Sequence, residues 1–117
     1  MANNIAFQGN KLLLPNTTVT FKHNIVSMYI YADKVVVLID EPPESPNYRN
    51  IAAISLDGKP LWAVQSVNDA YPEIKSKSHF VGMYRLENGN ISAANFFGIV
   101  FEISEKNGKI LGRQDGR

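Results

Sequence analysis

The sequence contains no cysteine. That excludes a disulfide framework, a thiolate metal site and a cysteine nucleophile, and it leaves packing as the source of stability. Long apolar runs are missing as well. None approaches the roughly 18 residues a membrane helix needs, and the opening M-A-N-N-I-A-F-Q-G-N-K lacks a basic region followed by an apolar stretch of signal-peptide length. The expectation is a soluble cytoplasmic protein with no membrane partner. Charge of one sign is not in excess either: the formal net charge is +1, which argues against a strong electrostatic draw to nucleic acid. Catalytic signatures are scarce, with no phosphate-cradling glycine loop, no H-E-x-x-H, no G-x-S-x-G and no EF-hand loop. An enzyme is not expected, and no cofactor is implied.

What is present favours strands. A chain of 117 residues is one domain, 1–117, long enough to bury roughly two-thirds of its unfolded surface. Val, Ile, Tyr, Phe and Thr are well supplied, and six Pro with eight Gly provide turns rather than helices.

The chain also repeats itself. Asn50 to Gln65 holds two short apolar runs around Asp57-Gly58, a dipeptide that supplies the positive φ angles of a tight hairpin. The pattern returns between Gly98 and Gly112, where Ile103-Ser104 matches Ile54-Ser55 and Gly108-Lys109 matches Gly58-Lys59. Each of these hairpins follows another. Ile25–Tyr31 turns through Ala32-Asp33-Lys34 into Val35–Ile39, and Phe80–Leu86 turns through Glu87–Asn90 into Ile91–Asn95. The offsets, Gly58 to Gly108 and Asp33 to Asn88, are 50 and 55 residues. Periods of that size mark propeller blades or related antiparallel units. Two units, 25–65 and 80–113, are too few for a closed propeller. The fold expected is therefore all-β: two four-stranded antiparallel, blade-like units packed as a small sandwich or partial barrel, plus an N-terminal hairpin.

In chain order, residues 1–22 lie outside the repeat. Ile5–Gln8 and Lys11–Leu14 meet at Gly9-Asn10, a hairpin turn, and Thr17–Lys22 is β-rich; these strands are expected at the edge of the first unit. Ile25–Tyr31 is apolar on both faces, as a central strand would be, and Val35–Ile39 is apolar throughout, as suits a strand covered on both sides. Asp40 to Asn50 then carries three prolines and three carboxylates, which makes it an exposed, partly stiffened loop. The second unit has only a short connection between Asn95 and Ile99, so this loop is an insertion, and insertions in repeats often form the binding face. Ser66–Ser78 is a polar linker with room for one helical turn, and the tail from Gly112 to Arg117 is expected to fray.

Charge is unevenly spread: residues 1–39 balance to +2, residues 40–73 to −4 and residues 74–117 to +3. Asp40, Glu41 and Glu44 have the oxygen chemistry for a hard cation, but the prolines between them favour a solvated acidic loop. His23 and His79 fit strand-edge positions better than an acid/base pair. Trp62, just after a turn, reads as a lid on the core rather than a binding platform. Tyr48 and Tyr71 suit partner contact and loop anchoring equally, and Phe96-Phe97 lie in a connection where large aromatics have little structural reason to be. The basic groups of the second unit alternate with Glu87, Glu102 and Glu105, a mixed solvated face.

Asp57, Gly58 and Trp62 resemble the quinoprotein-type blade repeat, with Gly112 standing where the second Trp would be. Together with Tyr71-Pro72, Phe97-Gly98 and Gly108-Lys109-Ile110-Leu111, they resemble a family of small bacterial all-β proteins, some of which are immunity proteins of contact-dependent growth inhibition systems. The resemblance implies a cytoplasmic protein that binds a cognate toxin domain and blocks its active site. Many such toxins are basic nucleases, so the expected partner-binding residues are Asp40, Glu41, Glu44, Tyr48, Asp69, Tyr71 and Glu73. A structural or small-ligand-binding module acting as a homodimer is the alternative.

Overall fold

The computed structural model describes residues 4–114, and its architecture is all-β. Eleven strands follow in order: β1 Ala6–Gln8, β2 Lys11–Leu13, β3 Thr18–Thr20, β4 Ile25–Ile30, β5 Lys34–Ile39, β6 Ile51–Ser55, β7 Pro60–Ala63, β8 Phe80–Arg85, β9 Ile91–Asn95, β10 Val100–Ile103 and β11 Ile110–Gln114. One helical turn, α1 Val67–Ala70, interrupts the linker. The strands form three antiparallel sheets, β1-β2-β3, β4-β5-β6-β7 and β8-β9-β10-β11. The two four-stranded meanders are the two expected units.

Alternation along β5 sets the layering. All six residues of Lys34–Ile39 are buried. Val36 and Leu38 join Ile51, Ala53, Phe80, Ile91, Phe101 and Ile103 in a core shared by the two four-stranded sheets. Val35, Val37 and Ile39 face the other way and pack with Ile5, Leu12 and Leu14 of the N-terminal segment. The first unit is thus the middle of three layers, which is why its central strand is apolar at successive positions.

Two expectations change for the same reason. β1–β3 do not extend the edge of the first unit; they form a separate sheet over its face, because that face carries Val35, Val37, Ile39 and Ile54 and needs a cover. β4 is an edge strand, not a central one. Its apolar residues on both faces reflect a layer on either side. The tail also differs: residues 112–114 belong to β11, and residues 115–117 lie outside the described part of the chain.

The two units share their irregularities. β4 is bulged between Ile25 and Ser27 against β5, and β8 between Phe80 and Gly82 against β9. β6 shifts register between Ala53 and Ile54 against β7, and β10 between Glu102 and Ile103 against β11. In the closing turns, Gly58 N–H donates to Ser55 O and Gly108 N–H to Ser104 O, both at 2.9 Å. Gly58 and Gly108 have φ angles of 93° and 77°.

Asn50, fully buried, joins the two units. Its amide nitrogen donates to Ile39 O (2.8 Å) and Phe80 O (2.9 Å), and its Oδ1 accepts from Phe80 N–H (3.0 Å). Trp62 packs against the shared core as a lid, with Nε1 donating to Glu105 O at 3.1 Å.

Candidate functional site

At one end of the sandwich the two units contribute equivalent elements to one cleft of about 570 Å³. The bulges in β4 and β8 leave Val26 and Val81 without a pairing partner, and both line this cleft, 48% and 54% exposed. The connection after β5 is the acidic loop. Its counterpart after β9 is the tight turn carrying Phe96 and Phe97, which are 76% and 59% exposed and also line the cleft. A bulge that re-aims a side chain beside a functional loop is a recurrent device of antiparallel sheets.

The acidic loop is fixed by its own polar groups. Glu41 is its hub: Oε1 accepts from Ser45 Oγ–H at 2.7 Å, Oε2 accepts from Asn47 Nδ2 at 3.0 Å, and His23 Nε2 stands 3.6 Å from Oε1. Its side chain is only 7% exposed, so Glu41 holds the loop and presents little to a partner. His79 docks the loop on the second unit, with Nε2 3.0 Å from Ser45 O and its ring stacked on Tyr48 at 4.5 Å between centroids. Both histidines are therefore loop supports.

Of the residues singled out in the sequence, Asp40, Glu41 and Tyr48 line the cleft. Asp40 is exposed, as is Glu44 on the same loop. Glu44, Asp69, Tyr71 and Glu73 do not line it. Asp69 is exposed on α1, Tyr71 packs on Phe101 with ring centroids 6.0 Å apart, and Glu73 lies 3.9 Å from Arg113, whose guanidinium covers the Tyr71 ring at 5.1 Å. Tyr71 anchors the linker to the core. Sequence reasoning did not assign Val26, Val81, Lys77, His79, Phe96 or Phe97 to the site. A signal for the valines existed, since Val26 and Val81 are 55 residues apart, the offset already seen between the first turns.

The opposite end of the strands holds a structural cluster. Lys34 is buried, bonds to Glu105 and to Asp33 (3.3 Å), and lies 4.8 Å from the Tyr31 ring centroid; Arg85 covers the same ring at 4.1 Å. Burial works to lower the Lys34 pKa, but the hydrogen bonds and charges of Glu105 and Asp33 overcome it and hold the pKa above the usual lysine value. Burial raises the Tyr31 phenol against the pull of Arg85. Among the described residues, no group of three or more His, Asp or Glu side chains is placed to hold a metal ion, and no helix is long and apolar enough to cross a membrane.

The outer face of the second unit is open. Tyr84, Ser92, Val100 and Glu102 there hold the positions that Tyr29, Val36, Ile51 and Ala53 hold in the first unit, where that face is covered. Glu102 accepts from Asn88 and Asn90 at 3.1 and 2.9 Å, and these bonds, that of Asn90 foremost, hold its carboxyl below the usual range.

Fold and cleft together define a class: a small all-β protein of two quasi-equivalent four-stranded units, with a preformed aromatic cleft at one end. By sequence the chain belongs to the family described as Domain of unknown function (DUF7957), which it matches over residues 2–114. No curated protein matches it.

Proposed function

We propose that this chain is a non-catalytic, cytoplasmic protein-binding module of the immunity type, which covers the active site of the toxin domain of a contact-dependent growth inhibition system. A basic nuclease is the toxin class that fits its acidic loop. The observation that carries the reading is the loop itself. An eleven-residue loop that gives no side chain to either hydrophobic cluster is nonetheless pinned by Glu41, Asn47 and His79, and it holds the carboxylates of Asp40 and Glu44 in solvent, Asp40 in the same cleft as the exposed rings of Phe96 and Phe97. Pre-ordering of this kind lowers the entropy cost of association, and the charges raise the association rate toward a basic partner. The use of both histidines as loop supports favours a binding role over a catalytic one.

Titration calorimetry against the cognate toxin domain, which the reading expects among the products of the genes adjoining this protein's own, tests it. Asp40→Lys with Glu44→Lys is the informative variant, because Glu41→Lys would dismantle the loop instead of altering its surface. Tight binding by the parent and weakening of about tenfold or more in the double variant are expected. Equal binding by both would remove the loop from the interface.

A second reading is favoured by the open face of the second unit, where Tyr84 and Val100 occupy positions that are covered in the first. Pairing of that face with a second copy would make the protein a homodimeric structural or small-ligand-binding module. Sedimentation equilibrium over a hundredfold range of concentration distinguishes the two: a constant monomer mass removes the dimer.

A further inference from the structure

We infer that the cleft takes an extended segment of the partner protein, with a bulky apolar side chain seated between the Phe96-Phe97 turn and the Val26–Val81 pair and a basic residue beside it reaching Asp40. This rests on the binding reading above and adds the chemistry of the bound segment.

The turn is the first reason. Gly98 N–H donates to Asn95 O at 3.0 Å, which puts Phe96 and Phe97 at the two corner positions of a β-turn. Corners favour Gly, Pro, Asn, Asp and Ser, whose backbone preferences or short polar side chains help form the turn. Phenylalanine contributes neither. Here the two rings meet each other edge to face at 5.8 Å and otherwise stand largely in solvent. Contiguous exposed apolar surface of this sort marks an interaction site.

The turn is also rigid. Asn95 Oδ1 accepts from Phe97 N–H and Ile99 N–H, both at 3.0 Å, and Phe96 N–H donates to Ser78 Oγ at 3.0 Å. A partner would meet rings already in position. The cleft's 570 Å³ lies in the range of pockets that enclose a small ligand, which leaves room for an aromatic or branched side chain.

Charge selects the occupant. The lining carries two carboxylates, Asp40 and Glu41, against one ammonium, Lys77; Glu41 is engaged by Ser45, Asn47 and His23, so Asp40 is the carboxylate exposed to an occupant, while Glu44 stands on the same loop outside the cleft. A basic residue adjoining the apolar anchor satisfies Asp40 and also gains from the nearby aromatic faces. The same carboxylates repel anionic lipid, which disfavours insertion of the Phe96-Phe97 tip into a membrane.

The test uses two defined probes, acetyl-Gly-Arg-Trp-Leu-Gly-amide and its counterpart with Glu in place of Arg, titrated into the full-length ¹⁵N-labelled protein. Amide shifts confined to residues around Val26, Asp40, Tyr48, Val81 and Phe96-Phe97 are expected, with the Arg peptide binding about fivefold or more tightly than the Glu peptide. Asp40→Asn should bring that ratio close to 1. Phe96→Ser with Phe97→Ser should abolish the shifts while the melting temperature stays unchanged, and Phe96→Ser alone provides the same comparison with less perturbation. Equal affinity for the two peptides, no shifts at millimolar peptide, or shifts centred on the outer face of the second unit would overturn the inference. So would co-sedimentation with phosphatidylglycerol vesicles that depends on Phe96 and Phe97. If the peptides fail while Asp40→Lys with Glu44→Lys still weakens toxin binding, the cleft inference falls and the binding-module reading stands.

Discussion

The indole of Trp62 lies directly over Gly108: a Cβ at that glycine would come within 2.5 Å of Trp62 Cε3 and 3.1 Å of Ala63 O. The equivalent glycine of the first unit, Gly58, faces Thr17, the residue just before β3, where a Cβ would approach Cγ2 to 2.9 Å, and Val19 of β3, whose Cγ2 would lie at 3.5 Å. Each unit therefore sets its turn glycine against the outer strand of the layer before it. Trp62 opposes Ala53 in the register where Gly112 opposes Glu102, so Gly112 stands in the place of Trp62 on the second unit. Among the described residues, nothing lies within 4 Å of a Cβ at that position. Ser92 and Glu102 add polar groups to the same face.

Gly108→Ala should therefore destabilise the protein by about 2 to 4 kcal/mol, from a positive φ that alanine adopts poorly and from displacement of the indole. Gly112→Ala is the control: nothing lies within 4 Å of a Cβ there, and a change within about 0.5 kcal/mol is expected. Urea unfolding of both variants measures the difference. Equal effects would contradict the stacking account.

Asn50→Ala should cost about 2 to 4 kcal/mol, because it leaves Phe80 N–H and two carbonyls without the partner that bridges the units. Asn50→Asp should rescue little, since its carboxylate accepts from Phe80 N–H but offers no donor to Ile39 O and Phe80 O. Thermal denaturation reads both.

The repeat and the all-β class were legible because turn chemistry is local: Asp57-Gly58 and Gly108-Lys109 reveal the hairpins through backbone geometry alone. The acidic loop was legible too, since three prolines cannot sit in a sheet. The layering was not. Apolar residues on both faces of Ile25–Tyr31 suggest a strand central in its sheet, whereas β4 is an edge strand in the middle layer, and periodicity does not separate the two. For Tyr71, partner contact and loop anchoring read equally from the sequence, because the contact that decides between them, Phe101, lies thirty residues away. The cleft stayed hidden for a similar reason. It forms only when two bulges and two connections from distant parts of the chain are superposed.

Glu41→Ala should loosen the acidic loop without unfolding the sheets. It removes the acceptor of Ser45 and Asn47 and the carboxylate beside His23, at a cost of about 1 to 3 kcal/mol. Faster amide exchange between residues 40 and 50, with β5 and β6 unchanged, is the expected outcome. Uniform acceleration across the chain would mean that Glu41 supports the whole fold.

Alkaline stability should depend on Lys34 and Tyr31. Both have folded-state pKa values above their usual 10.5 and 10.0, so the folded chain holds these protons more tightly than the unfolded chain. Their contribution is complete below the usual values and is lost as pH rises through the raised ones. Melting temperature should fall above about pH 10. Lys34→Met and Tyr31→Phe should each flatten that fall. An unchanged slope in both would contradict the roles assigned to this cluster.

The most direct test of the central claim is calorimetric titration of this protein with the cognate toxin domain that the proposal expects, sought among the products of the genes adjoining its own, run in parallel with the Asp40→Lys, Glu44→Lys variant. The account predicts a nanomolar complex, about −12 kcal/mol, weakened about tenfold or more in a variant that melts like the parent. Absence of heat and of co-elution with the unaltered protein would contradict it.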